Sequence, residues 1–427
     1  MVRSHETVVF RAIPALAALV TALLPHVTAA QPVERLAVSL THPAIEYGTR
    51  PRTDGVAQLD ARLRGGTTTL DFDRQHGYLR ALLEALNVPV ESQSLVFSKT
   101  SLQDGFITPL TPRAVYFSDD ILVAWIPGAP VIEIAAHDPR QGVMFYVLRQ
   151  QVIPAPPFER PRTCLECHIS TTTLGVPGLA VGSTVVDDAG VPFTAIPVDH
   201  RTAIDQRWGG WYVTGDTGEG RHVGNTVATD RTNPILEVVP DNLNLPTAAG
   251  RIDAGRYLTP YSDVAALMVL EHQTHMTNLL TLAGWQFRVA AEDGRDPGLA
   301  GTVDALVDYM LFVDEADVDD AIRGSAGFEA EFEQRGPFDA AGRTLRALDL
   351  TTRTFRYPCS YMIYSAAFDA LPAQAREAIY ARLWQVLSGA DTQTRYARLS
   401  LDDRQAVVEI LQETKPGLPP YFESPPQ

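Results

Sequence analysis

Cys164, Leu165, Glu166, Cys167 and His168 form the segment whose residue types and spacing speak most directly of chemistry. Two residues between the thiols set both sulfurs on one side of a helical turn, where each can bond a vinyl carbon of a haem. The next residue then brings an imidazole beneath the iron. On this reading Cys164 and Cys167 are covalent anchors of one haem c, and His168 is its proximal ligand. The same thiol spacing serves thiol oxidoreductases and zinc sites. A thioredoxin-like pair belongs at the strand-to-helix turn of a βαβ unit, whereas this one follows Pro154-Ala155-Pro156-Pro157. A zinc site wants a further ligand nearby, and the next histidine downstream is His200.

The other face of the iron decides between carrying electrons and binding a substrate, because a filled sixth position blocks chemistry at the metal and an open one permits it. Met268, His272, His275 and Leu279 fall at steps of four, three and four residues, hence on one face of a helix. His272, then Met268, then His275 are the candidates for a distal ligand, and His272 also for a distal base. The alternative is a core-facing stripe with locally bonded histidines. A second candidate region runs from Arg207-Trp208-Gly209-Gly210-Trp211 to Gly220-Arg221-His222. Its glycines let backbone approach a flat cofactor, its aromatic rings can cover a face, and Arg207 or Arg221 can meet a propionate. His222 joins the distal and catalytic candidates from here, against the alternative of a glycine-rich turn with buried tryptophans. Cys359 stands alone without a nearby histidine and is read as a buried small hydrophobe. Tyr361 and Tyr364 matter for electron relay only where they approach the cofactor.

The Cys164–His168 segment resembles that of c-type cytochromes, and the chain is similar to large exported proteins with a single haem and no assigned reaction. The resemblance rests on five residues. It implies thioether bonds at Cys164 and Cys167 and ligation by His168. The chain departs from small cytochromes, whose motif lies near the N-terminus and whose methionine follows within some tens of residues; here the first methionine after the motif is Met268. The resemblance points to periplasmic electron transfer. The alternatives are a haem enzyme with an open distal site, peroxidase-like or of the cytochrome P460 type, and a haem sensor or structural haem protein.

Export is expected from the N-terminus. Arg3 and Arg11 precede and begin an apolar stretch to Leu24, and Val27-Thr28-Ala29-Ala30 ends it with small residues, the pattern of a cleaved signal peptide over residues 1–30. A retained anchor is the alternative; with cleavage the protein is not integral to the membrane, and its place is the periplasm or another exported location. Three cysteines at 164, 167 and 359 do not make a disulfide framework.

The expected fold class is α+β. After a lead-in from residue 31 and a helix from Gln75 to Ala85 come short strands at Val90–Phe97, Ala114–Phe117, Ile121–Ile126, Val131–Ala136 and Val143–Leu148. These form an antiparallel β-rich N-terminal module, residues 31–157. Residues 158–260, rich in Gly, Pro, Thr and Asp, read as a loop-rich wrapping region that carries the haem. Residues 261–415 read as a helical domain, with helices at Ser262–Ala283, Val303–Phe312, Ala316–Ile322, Ser360–Phe368, Pro372–Leu387 and Leu401–Glu413. The first is expected to be capped by Ser262 or Asp263 and stopped by Gly284. Residues 416–427 form a proline-rich tail, expected to be mobile.

The 427 residues exceed the span over which one core usually grows, so two domains are the default expectation. Hydrophobic residues at 45% and charged residues at 20% are a globular composition. A net charge of -16 repels nucleic acid and anionic lipid and suits a basic redox partner or a neutral or cationic substrate.

Overall fold

Period-two patterning in the N-terminal half produces a meander. The computed structural model describes residues 38–228, 242–296 and 298–424. In it β1 (Ser94–Val96), β2 (Arg113–Phe117), β3 (Ile121–Trp125), β4 (Val131–Asp138), β5 (Gly142–Arg149) and β6 (Phe158–Glu159) pair antiparallel in that order. β4 and β5 carry the longest ladder, from Val131 opposite Arg149 to Asp138 opposite Gly142. The proline-rich stretch at 154–157 leads straight into β6 on the same sheet.

The two faces of this sheet have different partners. Ala114, Tyr116, Val123, Trp125, Ile134 and Tyr146 face the side packed by α1 (Gly55–Arg64) and α2 (Leu79–Ala85). Helix α1 lies where the lead-in was expected to be extended. Asp54 Oδ1 accepts from Ala57 N at its start, and Val56, Leu59 and Leu63 form its buried stripe. Helix α2 begins at Leu79 rather than at Gln75, because Asp73 Oδ1 accepts from Gln75 N and His76 N in a turn that Gly77 completes at φ 63°.

The opposite face, with Arg113, Val115, Ala124, Glu133, Ala135, Phe145 and Val147, is roofed by three later elements. They are the short α3 (Cys164–His168), the hairpin of β7 (Val181–Val186) and β8 (Pro192–Val198), and α4 (Val264–Glu292). The hairpin corrects the expectation of a region without regular layers. Its β8 contains two prolines and is exposed from Pro192 to Pro197, so no burial period marked it as a strand.

Helix α4 is 29 residues long, about 43 Å at the helical rise. Asp263 caps it: Oδ1 accepts from Ala265 N and Ala266 N, while Oδ2 accepts from Ser325 N and Ala326 N. Gly284 does not stop it. A Cβ there would lie 3.3 Å from Leu371 and 2.8 Å from Arg288, so this glycine admits a close neighbour within a continuing helix.

Around α4 pack α5 (Ala300–Met310), α6 (Phe328–Gln334), α7 (Ala366–Asp369) and α8 (Ala373–Leu387), and α9 (Leu401–Thr414) packs on α8. The helix expected at 316–322 is absent. Val318 and Ile322 are both buried at helical spacing, but the backbone is extended, with Ala316 N donating to His200 O and Ile322 N to Leu350 O. The C-terminal segment is pinned within its described part, since Phe422 is buried against Trp384 with ring centroids 5.2 Å apart. The described residues form one compact unit, an α+β arrangement in which Val96, Val115 and Phe117 of the sheet share a core with α4. The stretch read as a signal lies outside the described residues.

Candidate haem attachment cavity

Each turn of α3 is set by what precedes and follows it. Leu165 N donates to Arg162 O, Glu166 N to Thr163 O and Ile169 N to Leu165 O, which gives a short helical turn with both cysteines on it. Cys164 is half-buried, packed with Leu122, Ala135, Val143 and Phe145, and Cys167 is exposed. Neither is in a disulfide. Burial raises the Cys164 thiol pKa above its ordinary value, the reverse of what an activated redox thiol needs.

His168 is held in one orientation. Its ring packs on Phe145 with centroids 4.4 Å apart, and its Nδ1–H donates to Gly178 O at 2.9 Å. Burial pushes its pKa below the ordinary imidazole value, so the ring is neutral and Nε2 keeps its lone pair. Gly178 is in turn fixed by α4. Asn278 Oδ1 accepts from Leu179 N at 3.0 Å and Nδ2 donates to Leu179 O at 2.6 Å, and a Cβ on Gly178 would come 2.1 Å from Asn278 Oδ1. An imidazole whose second nitrogen is tied to a backbone carbonyl is the arrangement in which histidine serves as an oriented metal ligand.

Cys164, Cys167 and His168 border a cavity of about 620 Å³ between the sheet, the β7–β8 hairpin and α4. That volume lies within the range of about 300–1,000 Å³ in which cofactors and small ligands sit. Valine, leucine and alanine side chains from β2, β3, β4 and β7 line much of it, together with Phe145, Trp211 and Leu270. The charged residues on its wall are Lys99, Arg113 and Glu133. They gather beside β1. Arg113 Nη1 lies 3.4 Å from Glu133, whose other oxygen accepts from Ser101 Oγ at 2.8 Å. Arg113 Nε is buried without a hydrogen-bond partner. The wall thus joins an apolar part, with Leu122, Ala135 and Phe145, to a charged group whose Arg113 and Glu133 act on His168. A haem has the same polarity, with an apolar vinyl edge and a propionate edge, so the residues present fit that group. Among the described residues no three His, Cys, Asp or Glu side chains converge as an ion cage, which a haem, carrying its own four nitrogens, does not need.

The distal candidates lie elsewhere. Leu270 and Thr274 are the α4 residues on the cavity wall. His272 lies two residues from each, about 200° around the helix, so the Met268–His272–His275 stripe points into the helical half. Met268 is buried in that core. His272 shares a hydrogen bond with His200 Nδ1 at 2.9 Å and another with Ser360 Oγ at 2.7 Å, and it stacks on Tyr309. His275 lies against Tyr309 and Arg201. His222 Nε2 donates to Leu243 O, and its Nδ1 accepts from Gly224 N. Burial lowers the pKa of His272 to about 3 and those of His275 and His222 to about 4, so all three are neutral structural rings. None lines the cavity.

The glycine-rich stretch divides in the same way. Trp211 is on the wall, with Nε1 donating to Gly182 O at 2.9 Å. A Cβ on Gly209 would meet Thr184 O at 2.9 Å, which explains the glycine where this backbone threads beside β7. Arg207 is buried with Glu271, their charged atoms 3.1 Å apart, and Arg221 is exposed; neither reaches the cavity, whose basic residues are Lys99 and Arg113. Cys359 is fully buried, as expected, and its pKa is pushed up to about 12. Tyr361 donates to Gln273 and lies under Arg346, within the helical half. Arg113 and Glu133 are visible in the sequence as charged residues among the apolar positions of β2 and of residues 131–136, but nothing local joins them to His168.

No protein family, curated protein or solved structure matches the chain. No helix among the described residues is long and apolar enough to cross a membrane.

Proposed function

We propose that this is an exported single-haem c-type protein whose haem, tethered at Cys164 and Cys167 and ligated by His168, keeps an open distal side for a small ligand or substrate. One observation carries the reading: among the described residues, the cavity at the Cys-x-x-Cys-His turn has no second histidine and no methionine on its wall. When bound, haem c would supply a one-electron iron centre. The chain's own residues do the rest. His168 is oriented through Gly178 by Asn278, apolar side chains from the sheet make up much of the wall, and Arg113 with Lys99 offers positive charge to an anionic group. This favours the haem enzyme or ligand binder over the simple carrier. Electron exchange with a partner remains part of it, because Cys167 places the tether at the exposed edge.

The test is the spectrum of the reduced protein, produced with haem attachment, with and without carbon monoxide. The Soret band is expected to shift. An unchanged band would mean a filled sixth position and would return the protein to the electron carriers. A chain that gains no covalent haem overturns the reading altogether.

A further inference from the structure

A second, much smaller pocket adjoins the cavity. Its volume is about 20 Å³, and it shares Leu122, Ala135, Leu179, Leu270 and Thr274 with the large one. A water needs roughly 10–15 Å³ measured this way and two to four polar partners. Here the partners are in place. Asp120 and His137 both line this pocket, and each has a buried side-chain atom without a hydrogen-bond partner, Asp120 Oδ1 and His137 Nδ1.

The tautomer of His137 follows from its neighbours. Thr281 Oγ1 donates to Thr277 O at 2.9 Å, so its contact with His137 Nε2 at 3.3 Å is one in which Nε2–H donates. Nδ1 is then a bare acceptor. Two bare acceptors at a pocket sized for one water match the two hydrogens a water donates.

We propose that Asp120, through a water in this pocket, exchanges protons between the solvent and a ligand in the haem cavity. The inference rests on the open-site reading above. Asp120 sits in the β2–β3 turn beside Asp119, whose side chain is 29% exposed, so the outer end of the route is wet. The inner end is Thr274, common to both walls. In one direction an acidic ligand gives its proton to the Thr274 oxygen while that hydroxyl, turned from its bond to Glu271 O, passes its own to the pocket water; the water gives one to the Asp120 carboxylate, and Asp120 releases it to solvent. Reversing each transfer delivers a proton inward.

The charges around Asp120 suit this traffic. Asp119 and Arg346 face it as an ion pair, Tyr361 lies behind Arg346 with Arg335 and Glu331 further out, and His137 stands across the pocket with Asp138 and Arg288 beyond it. Burial first, and then the Asp119 charge, raises the Asp120 pKa to about 6 against the pull of Arg346. Burial lowers that of His137 to about 4, leaving it neutral. Asp120 thus changes protonation close to neutral pH.

Hydrogen cyanide and carbon monoxide test this on the holoprotein, because the first must lose a proton on binding and the second has none to lose. In the wild type the cyanide association rate is expected to rise as pH passes about 6. In Asp120→Asn that inflection should vanish and the rate fall roughly tenfold or more, within the range typical of a lost general base. Carbon monoxide association should be unchanged. Thr274→Val, which leaves Asp120 in place, should slow cyanide in the same selective way, and this variant decides the matter should Asp120→Asn not fold. An inflection near pH 6 that survives in Asp120→Asn, or equal slowing of both ligands in either variant, overturns the proposal. A wild type with covalent haem that binds neither ligand overturns the open-site reading instead, and this inference with it.

Discussion

His168 Nδ1 and Gly178 O are 2.9 Å apart, and the peptide that supplies this acceptor is clamped by Asn278 from the middle of α4. The attachment turn has no fully buried residue of its own, so its geometry is imposed from the long helix.

Removing that clamp should therefore be felt at the imidazole. Asn278→Ala leaves the buried Leu179 amide and carbonyl without their partners, a loss of about 1–3 kcal/mol in unfolding free energy. Denaturant titration measures the loss, and the holoprotein should show a broadened or mixed-spin Soret spectrum. Gly178→Ala should do the same by steric displacement. A native spectrum in both variants would separate Asn278 from the site.

Arg113 makes a different prediction. With haem in the cavity, its cation disfavours the more positively charged, oxidised iron. Arg113→Gln should lower the midpoint potential in a potentiometric titration and leave covalent attachment intact. An unchanged potential would remove Arg113 from the cofactor's surroundings.

Glu271 predicts how stability depends on pH. Burial raises its carboxyl pKa to about 7, against the pull of Arg207, from an ordinary value near 4.5. A carboxyl with a raised folded-state pKa binds more protons folded than unfolded between those two values, so its contribution to stability is greatest below pH 4.5 and declines as pH rises to about 7. The slope of the denaturation midpoint across this window should flatten in Glu271→Gln. An unaltered slope would rule Glu271 out as its source.

The parts legible in the sequence were those with local periods. Alternation in β2 to β5 and the long apolar pattern of α4 gave the α+β class, and the cysteine spacing marked Cys164, Cys167 and His168 as the candidate site. Helix α1 was hidden because its stripe of Val56, Leu59 and Leu63 follows a run of prolines and glycines. The distal face was misread for a physical reason. A stripe at 268, 272 and 275 proves a face but not which body it meets, and α4 turns that face to the helices and Leu270 with Thr274 to the cavity. Lys99, Arg113 and Glu133 meet His168 only through strand register and the β1–β2 loop, which no local spacing records.

The seal along β1 sets an order on how the chain can fold. Leu95 N donates to Ser262 Oγ, 167 residues later, and Gln93 Nε2 reaches Thr259 O and Tyr261 O. Leu95 O and Phe97 N pair with Tyr212 N and Gly210 O. One rim of the sheet is thus closed only by segments made long after the sheet itself. As the chain emerges, Ser94–Val96 is a naked edge, the kind of surface on which strands from other molecules add. Pairings this distant also form slowly. Aggregation during production is therefore expected to begin at β1, and chains ending before residue 263 should aggregate more than longer ones.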